Sequence, residues 1–272
     1  MGKIFLRAGI ISLLCTFLIT CKRDKVLPVD PLVPVAMRNT PLLMEFTGTN
    51  NVSSGSWGWD MAEELMTYSK GKALFMSVYP SSSVSEGFVC NDADNLNTWL
   101  AIPSYPAFAV NENPKIVRQG SVDVAKEKLL CKQAIDSFCT TPVIANAGLT
   151  HTIQGDNIIV QSTVYFFTAT SGKFYVSYYL LEDGAMYKQA GHPLSNGSTP
   201  IAHPCVLRTT FNGIWGDLVA FGAVNKGYFI DKVFKLKLDP SWVTAKLRVV
   251  AVIWKADEVS GNYHLINSST SR

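Results

Sequence analysis

The segment EFTGTNNVSSGSWGWDMAEEL, residues 45–65, decides the fold of the N-terminal half of this 272-residue chain. It begins at the end of an apolar stretch, PLLMEFT, and passes through a polar loop into WDMAEELMTYSKG. In that last stretch Met61, Leu65 and Tyr68 share one face of a helix, and a lysine and a glycine end the pattern. The segment therefore predicts a strand, a loop and a helix, in that order.

The residues that follow extend this pattern to about position 140. KALFMSVYP predicts a second strand, and a polar crossing loop that contains Cys90 comes after it. SYPAFAVN and KIVRQG predict two further strands, and a helix then places Cys131 and Ile135 on its apolar face, where a thiol is more typical of a core than of a reactive site. Strands that alternate with helices predict an α/β domain at residues 40–140.

A different pattern fills residues 141–272, where the helical period disappears and short apolar strands recur between turn signals. NIIVQSTVYFFTAT and KFYVSYYLLED are separated by Ser171 and Gly172, which predicts a hairpin. LRVVAVIWKAD is continuously apolar and should be a central strand. Roughly seven strands of this kind predict an all-β sandwich of the immunoglobulin type.

The N-terminus predicts export and a lipid anchor. Residues 1–20 carry Lys3 and Arg7 ahead of an apolar run that is too short to span a membrane as a mature helix, as in a secretory signal. LITC resembles the cleavage and acylation box of bacterial lipoproteins, which makes Cys21 the lipidated residue; an ordinary signal peptide cut elsewhere is the alternative. The proline-rich residues 21–39 predict an extended tether.

Charge and cysteine usage limit the function. Loss of residues 1–20 removes two basic residues and no acidic one, so the formal net charge falls from +3 to +1 and leaves no basic surface for nucleic acid. Four cysteines remain besides Cys21, enough for two disulfides whose pairing the sequence does not give. These cysteines are Cys90, Cys131, Cys139 and Cys205.

The motifs of the N-terminal half resemble a known fold. A strand that ends in EFTG, a loop, a helix and a later Tyr105-Pro106 step into a strand resemble the thioredoxin fold. The match is similar in particular to the outer membrane protein 28 family of lipoproteins from Gram-negative bacteria, with Asn111 after the third strand. HPCVLRTTFNGIWGDLV, GYFIDKVFKLKLDPSW and LRVVAVIWKAD occur in the expected order, so the resemblance covers most of residues 40–270.

The loop departs from this family at its chemically active positions. The family carries Trp-Cys-x-x-Cys-Pro there, and in this chain Asn51 and Ser54 occupy the two cysteine positions. An amide and a hydroxyl cannot exchange disulfides, because exchange needs a thiolate and a resolving sulfur. Two roles remain open: a helix cap from Ser54 or Ser56, or an extended peptide held between the Asn51–Trp57 loop and Tyr105-Pro106 if that bond is cis.

Other candidate chemistry is weak. His151, His192 and His264 stand apart from other ligands, and the HPC step at His203 and Cys205 is a poor metal signal, so we predict no metal and no cofactor. Arg208 should form an internal ion pair. A tryptophan can form an exposed surface on which a ligand packs, and Trp57 in the loop is the best candidate. The other candidates of this kind are Trp59, Trp215, Trp242 and Trp254.

Together these observations predict an α/β thioredoxin-like domain without its cysteine pair, followed by an immunoglobulin-like sandwich. We expect a non-enzymatic lipoprotein, anchored to the outer membrane on its surface or periplasmic face, that acts in binding, adhesion or scaffolding. Its partners would be an extended peptide, a host protein or a glycan. The alternative is a single-cysteine thiol-disulfide oxidoreductase or isomerase, which requires Cys90 to be exposed, acidic and close to Tyr105 and Pro106.

Overall fold

Fourteen β-strands and three α-helices form the described part of the chain. The computed structural model describes residues 30–83, 87–115, 123–195 and 197–271. The helices are α1 (Trp59–Ser69), α2 (Asn91–Trp99) and α3 (Val124–Cys139). The strands are β1 (Leu42–Phe46), β2 (Leu74–Val78), β3 (Ala107–Val110), β4 (Asn113–Lys115), β5 (Ala145–Gln154), β6 (Asn157–Phe166), β7 (Thr170–Glu182), β8 (Ala185–Lys188), β9 (Pro200–His203), β10 (Val206–Thr210), β11 (Asp217–Val224), β12 (Phe229–Lys237), β13 (Leu247–Ala256) and β14 (Tyr263–Thr270).

Several local predictions are confirmed. Helix α1 buries Met61 and Leu65, as the helical spacing indicates. Helix α3 buries Cys131 and Ile135. Its first turn is capped by the Asp123 carboxylate, which accepts hydrogen bonds from the backbone amides of Ala125 and Lys126. Strand β13 is central and lies between β7 and β14.

The fold-class prediction is wrong. Strands make up 42% of the described residues, and those from both halves of the chain join one mixed nine-stranded sheet in the order β14-β13-β7-β10-β2-β1-β3-β4, with β11 also paired to β7. The join is a parallel pairing of β2 with β10, in which the Ser77 amide donates to the Cys205 carbonyl at 3.0 Å. Strand β2 pairs with β1 on one side and β10 on the other, so described strands from both halves belong to one sheet, and residues 31–272 form one compact unit.

A second, smaller sheet covers one face of the large one. Its order is β12-β6-β5, and its buried residues Val160 and Val164 belong to the same core as Val176 and Ile253 of the large sheet. The predicted hairpin at Ser171 and Gly172 is wrong, because β6 and β7 lie in different sheets and do not pair. Strand β7 begins at Thr170 and is long enough to pair with β10, β11 and β13.

The predicted signal peptide and Cys21 lie outside the described residues. Residues 31–39, at the end of the segment predicted as a tether, lie against the smaller sheet. The Val33 amide donates to Thr163 Oγ1 at 3.0 Å, and Asn146 Nδ2 donates to the Ala36 carbonyl at 2.9 Å. In the part of the chain that is described, no helix has both the length and the apolar character needed to cross a membrane.

Candidate functional site

The loop at the lost cysteine positions is closed by its own helix cap. Asn51 Oδ1 accepts a hydrogen bond from the Ser54 backbone amide at 2.9 Å. This is the geometry of an N-terminal cap, and it satisfies one of the free amides of the first helical turn. The capping side chain is therefore Asn51, whereas the sequence suggested Ser54 or Ser56. A short π-helical turn, Ser54–Gly58, then leads into α1.

The polar atoms of the other two side chains predicted for this loop are buried. The Ser54 side chain is buried, with 1% exposure, and its hydroxyl makes no hydrogen bond within the described residues. The indole nitrogen of Trp57 is likewise buried and without a partner in that part of the chain. Trp57 packs against the apolar core and does not offer a free indole N–H to a ligand.

The Tyr105-Pro106 peptide bond is cis, and Pro106 is buried beside the loop. A Cβ atom added to Gly58 would lie 2.5 Å from Pro106 Cγ, so only glycine fits at that point. The Tyr105 hydroxyl donates to Asn97 Oδ1 at 2.9 Å and bonds to Ser82 Oγ at 2.6 Å. The structure thus brings the loop and the Tyr105-Pro106 step together, as the peptide-binding hypothesis requires.

Residues 189–191, in the connection between β8 and β9, cover this loop. The Gln189 side-chain amide donates to the Gly48 carbonyl at 3.1 Å and to the Asn51 carbonyl at 3.2 Å. The Ala190 amide donates to the Thr49 carbonyl at 2.7 Å. These carbonyls already accept hydrogen bonds from residues 189 and 190, which lie over the loop, so an extended peptide would have to displace this segment to bond there.

The fit between the two segments is close. A Cβ atom added to Gly55 would lie 1.9 Å from the Ala190 carbonyl oxygen, and one added to Gly191 would lie 2.3 Å from the Val52 carbonyl oxygen. Sequence analysis missed Gln189, because the segment around it carries turn residues without periodicity, and nothing local indicates that it meets residues about 140 positions earlier.

The carboxyl group of Glu45 is buried on β1, shortly before the loop in the sequence. Glu45 is 4% exposed and accepts a hydrogen bond from Ser77 Oγ at 3.2 Å. Burial raises the pKa of Glu45 to about 8, against the smaller opposing effect of hydrogen bonds from Ser77 and Thr47. At neutral pH Glu45 is therefore mostly protonated and neutral.

A buried histidine and a buried ion pair lie on the C-terminal strands. His203 Nε2 donates to the Tyr187 carbonyl at 3.1 Å, so Nδ1 accepts from the Tyr79 hydroxyl at 2.8 Å, and burial lowers the pKa of His203 to about 4. The predicted internal ion pair of Arg208 is confirmed, because its guanidinium lies 2.8 Å from Glu182 Oε2. Both side chains of this pair are almost fully buried.

No disulfide joins any of the four cysteines in the described residues. Cys90 is half-buried at the start of α2, and burial raises its pKa to about 11. Burial also raises the pKa of Cys205 to about 12 and that of Cys139 above its ordinary value. Disulfide exchange starts from a thiolate, so raised pKa values make these thiols poor nucleophiles near neutral pH.

The described part of the chain contains no group of three or more histidine, cysteine, aspartate or glutamate side chains that could bind a metal ion. His203 is committed to Tyr79 and Tyr187, and His264 lies 3.1 Å from the Glu112 carboxylate. The His203 and Cys205 step therefore has a structural explanation.

Comparisons with known proteins show the fold and no more. No protein-family model matches the chain, and no curated protein matches it. The solved structure of HBP35 of Porphyromonas gingivalis is similar with a TM-score of 0.65 and 16% identity, over 88% of this chain and 76% of that one. A structural-genomics target from Agrobacterium tumefaciens gives 0.53 and 14%, over 87% and 96%.

A domain of the outer membrane lipoprotein Omp28 from Porphyromonas gingivalis is 20% identical over 48% of this chain and 88% of its own length. Its TM-score of 0.32 is too low to support an argument. The chain therefore shares its fold with HBP35 and with the Agrobacterium protein, while the comparisons leave its family unassigned.

Proposed function

We propose that this protein is a non-enzymatic lipoprotein of the bacterial outer membrane that acts in binding, adhesion or scaffolding. The observation that carries the proposal is the closed loop: Asn51 caps the helix, and Gln189 and Ala190 occupy the carbonyls around it. A site that exchanges disulfides needs an accessible sulfur at this position, and the chain places none there.

Among the partners considered, the geometry favours an extended peptide at this loop least. Peptide binding by strand addition depends on free backbone donors and acceptors, and the loop's carbonyls are already bonded. Binding to a host protein or a glycan then depends on another surface of the molecule.

The single-cysteine alternative depends on Cys90. We expect alkylation of Cys90 by iodoacetamide at pH 7 to be about 100-fold slower than alkylation of an unstructured cysteine peptide, because a pKa near 11 lies about two units above the ordinary 9.0. Mass spectrometry of the full chain after timed alkylation measures this rate, with a Cys90→Ala variant to confirm the assignment. A rate equal to that of the peptide or faster would favour the alternative.

The lipid anchor is tested separately. In a Gram-negative host grown with a clickable palmitate analogue, the wild-type chain and a Cys15→Ser variant should both be labelled and recovered with outer membranes. A Cys21→Ser variant should lose the label, because the thiol of the mature first residue is then absent. Equal labelling of the Cys21→Ser variant, or no labelling of the wild type, would contradict the anchor.

A further inference from the structure

A group of half-buried aromatic rings lies where the end of α2, the loop after β10 and the start of β14 meet. Trp215 stacks on Tyr263 with ring centroids 3.9 Å apart and an angle of 7° between planes. Trp99 stands at 88° to Trp215, with centroids 4.6 Å apart. These three rings are only partly covered by the rest of the protein.

Two neighbouring cavities share Trp99 and Tyr263. The first, of about 460 Å³, adds Trp215 and the polar side chains of Asn95 and Thr98. The second, of about 220 Å³, adds Glu112, Asn262 and His264. Small-molecule sites typically have volumes of about 300–1,000 Å³ and combine apolar walls with a few polar groups, so the first cavity is of ligand size.

Hydrogen-bonding groups around the rings are unused. In the described residues, no hydrogen bond joins the side chain of Asn95, Thr98 or Asn262 to another protein group. The side chains of Asp92 and Asn97 and the Asn262 backbone amide, by contrast, are bonded within the protein. Asn95 and Asn262 are exposed, and each amide presents a donor and an acceptor. The polar groups at the rim are therefore free to bind a ligand.

From these observations we propose that the surface around Trp99, Trp215 and Tyr263 binds a neutral glycan. A sugar ring has an apolar C–H face that packs on an aromatic ring, and hydroxyl groups that both donate and accept hydrogen bonds. Neither cavity is lined by a lysine or an arginine, and the second contains the Glu112 carboxylate, so phosphorylated, sulfated and acidic sugars are disfavoured.

A proline-rich peptide is the main competitor for an aromatic surface of this kind. Such a segment docks in the polyproline conformation and offers mostly carbonyl acceptors to the groove. Its prolines have no N–H to donate to the amide oxygens of Asn95 and Asn262, which would stay bonded to water, whereas vicinal sugar hydroxyls can bond directly to both halves of each amide. The groups on this surface therefore favour the glycan.

The test is affinity electrophoresis of the full chain, purified in detergent, through gels containing dextran, laminarin, mannan or arabinogalactan, with heparin as the anionic comparison. We expect at least one neutral polysaccharide to retard the wild type and heparin not to. The Asn95→Ala/Asn262→Ala double variant should weaken the association by about tenfold or more, as should Trp99→Ala. The matched control is Trp242→Ala, a half-buried tryptophan outside this surface, which should bind like the wild type.

The double variant changes only exposed side chains, so its loss of binding is not a loss of folding, and circular dichroism confirms this. Three outcomes would overturn the proposal: no retardation by any neutral polysaccharide, retardation that the variants leave unchanged, or saturable binding of a decaproline peptide that the same variants abolish. The proposal rests on the binding role proposed above. Failure of the glycan proposal can be distinguished from failure of the proposed function, because the alkylation and lipid-labelling experiments do not involve this surface.

Discussion

Replacing Glu45 with glutamine is expected to stabilise the protein at pH 9 by as much as about 5 kcal/mol and to change little at pH 4. The reason is burial, which raises the pKa of Glu45 from 4.5 to about 8 in the folded protein. Below pH 4.5 the carboxyl is protonated in the folded and unfolded states alike, so it adds no pH-dependent penalty. As the pH rises from 4.5 to 8, only the unfolded state releases the proton, and the free energy of unfolding falls.

Urea denaturation of the wild type and of Glu45→Gln at pH 4, 6 and 9 measures this effect. Relative to the glutamine variant, the wild type should lose stability from pH 4 to pH 9, because the other titrating groups, His203 included, are common to both proteins. Glu258→Gln is the matched control, because Glu258 is exposed in the turn between β13 and β14. Equal pH dependence in the wild type and Glu45→Gln would show that Glu45 does not carry the buried proton.

Breaking the buried ion pair should have the second large effect. Arg208→Met leaves the Glu182 carboxylate without its partner in a site that excludes water, and we expect a loss of about 3–5 kcal/mol in the free energy of unfolding. Arg208 also donates to the Gly87 carbonyl at 2.6 Å, and its guanidinium lies over the Phe88 ring. The substitution therefore loosens the segment before α2 as well.

A double-mutant cycle separates the ion pair from these other contacts. Glu182→Gln in the Arg208→Met background should recover part of the loss, because the unpaired charge is then removed. Lys237→Met breaks an exposed pair with Asp156 and should change stability by less than about 1 kcal/mol. If Arg208→Met proved as mild as Lys237→Met, the burial of this pair would be refuted.

Local sequence patterns were sufficient for the elements that depend on nearby residues. The spacing of Met61 and Leu65 located α1, and the continuous apolar run of LRVVAVIWKAD located the central strand β13. In both cases one turn of helix or one strand carries its own pattern of burial, so the side chains needed for the prediction are close together in sequence.

The fold class depended on pairings that have no local signature. Strand β2 joins β10, about 130 residues later, and this single parallel contact merges two predicted domains into one sheet. The hairpin at Gly172 failed for a related reason, because the turn signal there lies inside β7. A glycine is also tolerated inside a strand, and here the strands on either side of the turn signal belong to different sheets, so no hairpin forms.

The candidate site was predictable in part. The sequence located the loop and the Tyr105-Pro106 step, and the structure places them together. Gln189, which closes the loop, gave no signal. The burial of Glu45 could have been predicted, because an ionisable residue inside the apolar run PLLMEFT is expected to be neutral or paired.

The measurement that tests the central claim most directly is turnover of a scrambled-disulfide substrate by the full chain at pH 7.5, with thioredoxin as the positive control. The account predicts no turnover above buffer for the wild type, and the same result for Cys90→Ala. Turnover by the wild type that disappears in Cys90→Ala would contradict it, and would make the chain a single-cysteine redox enzyme.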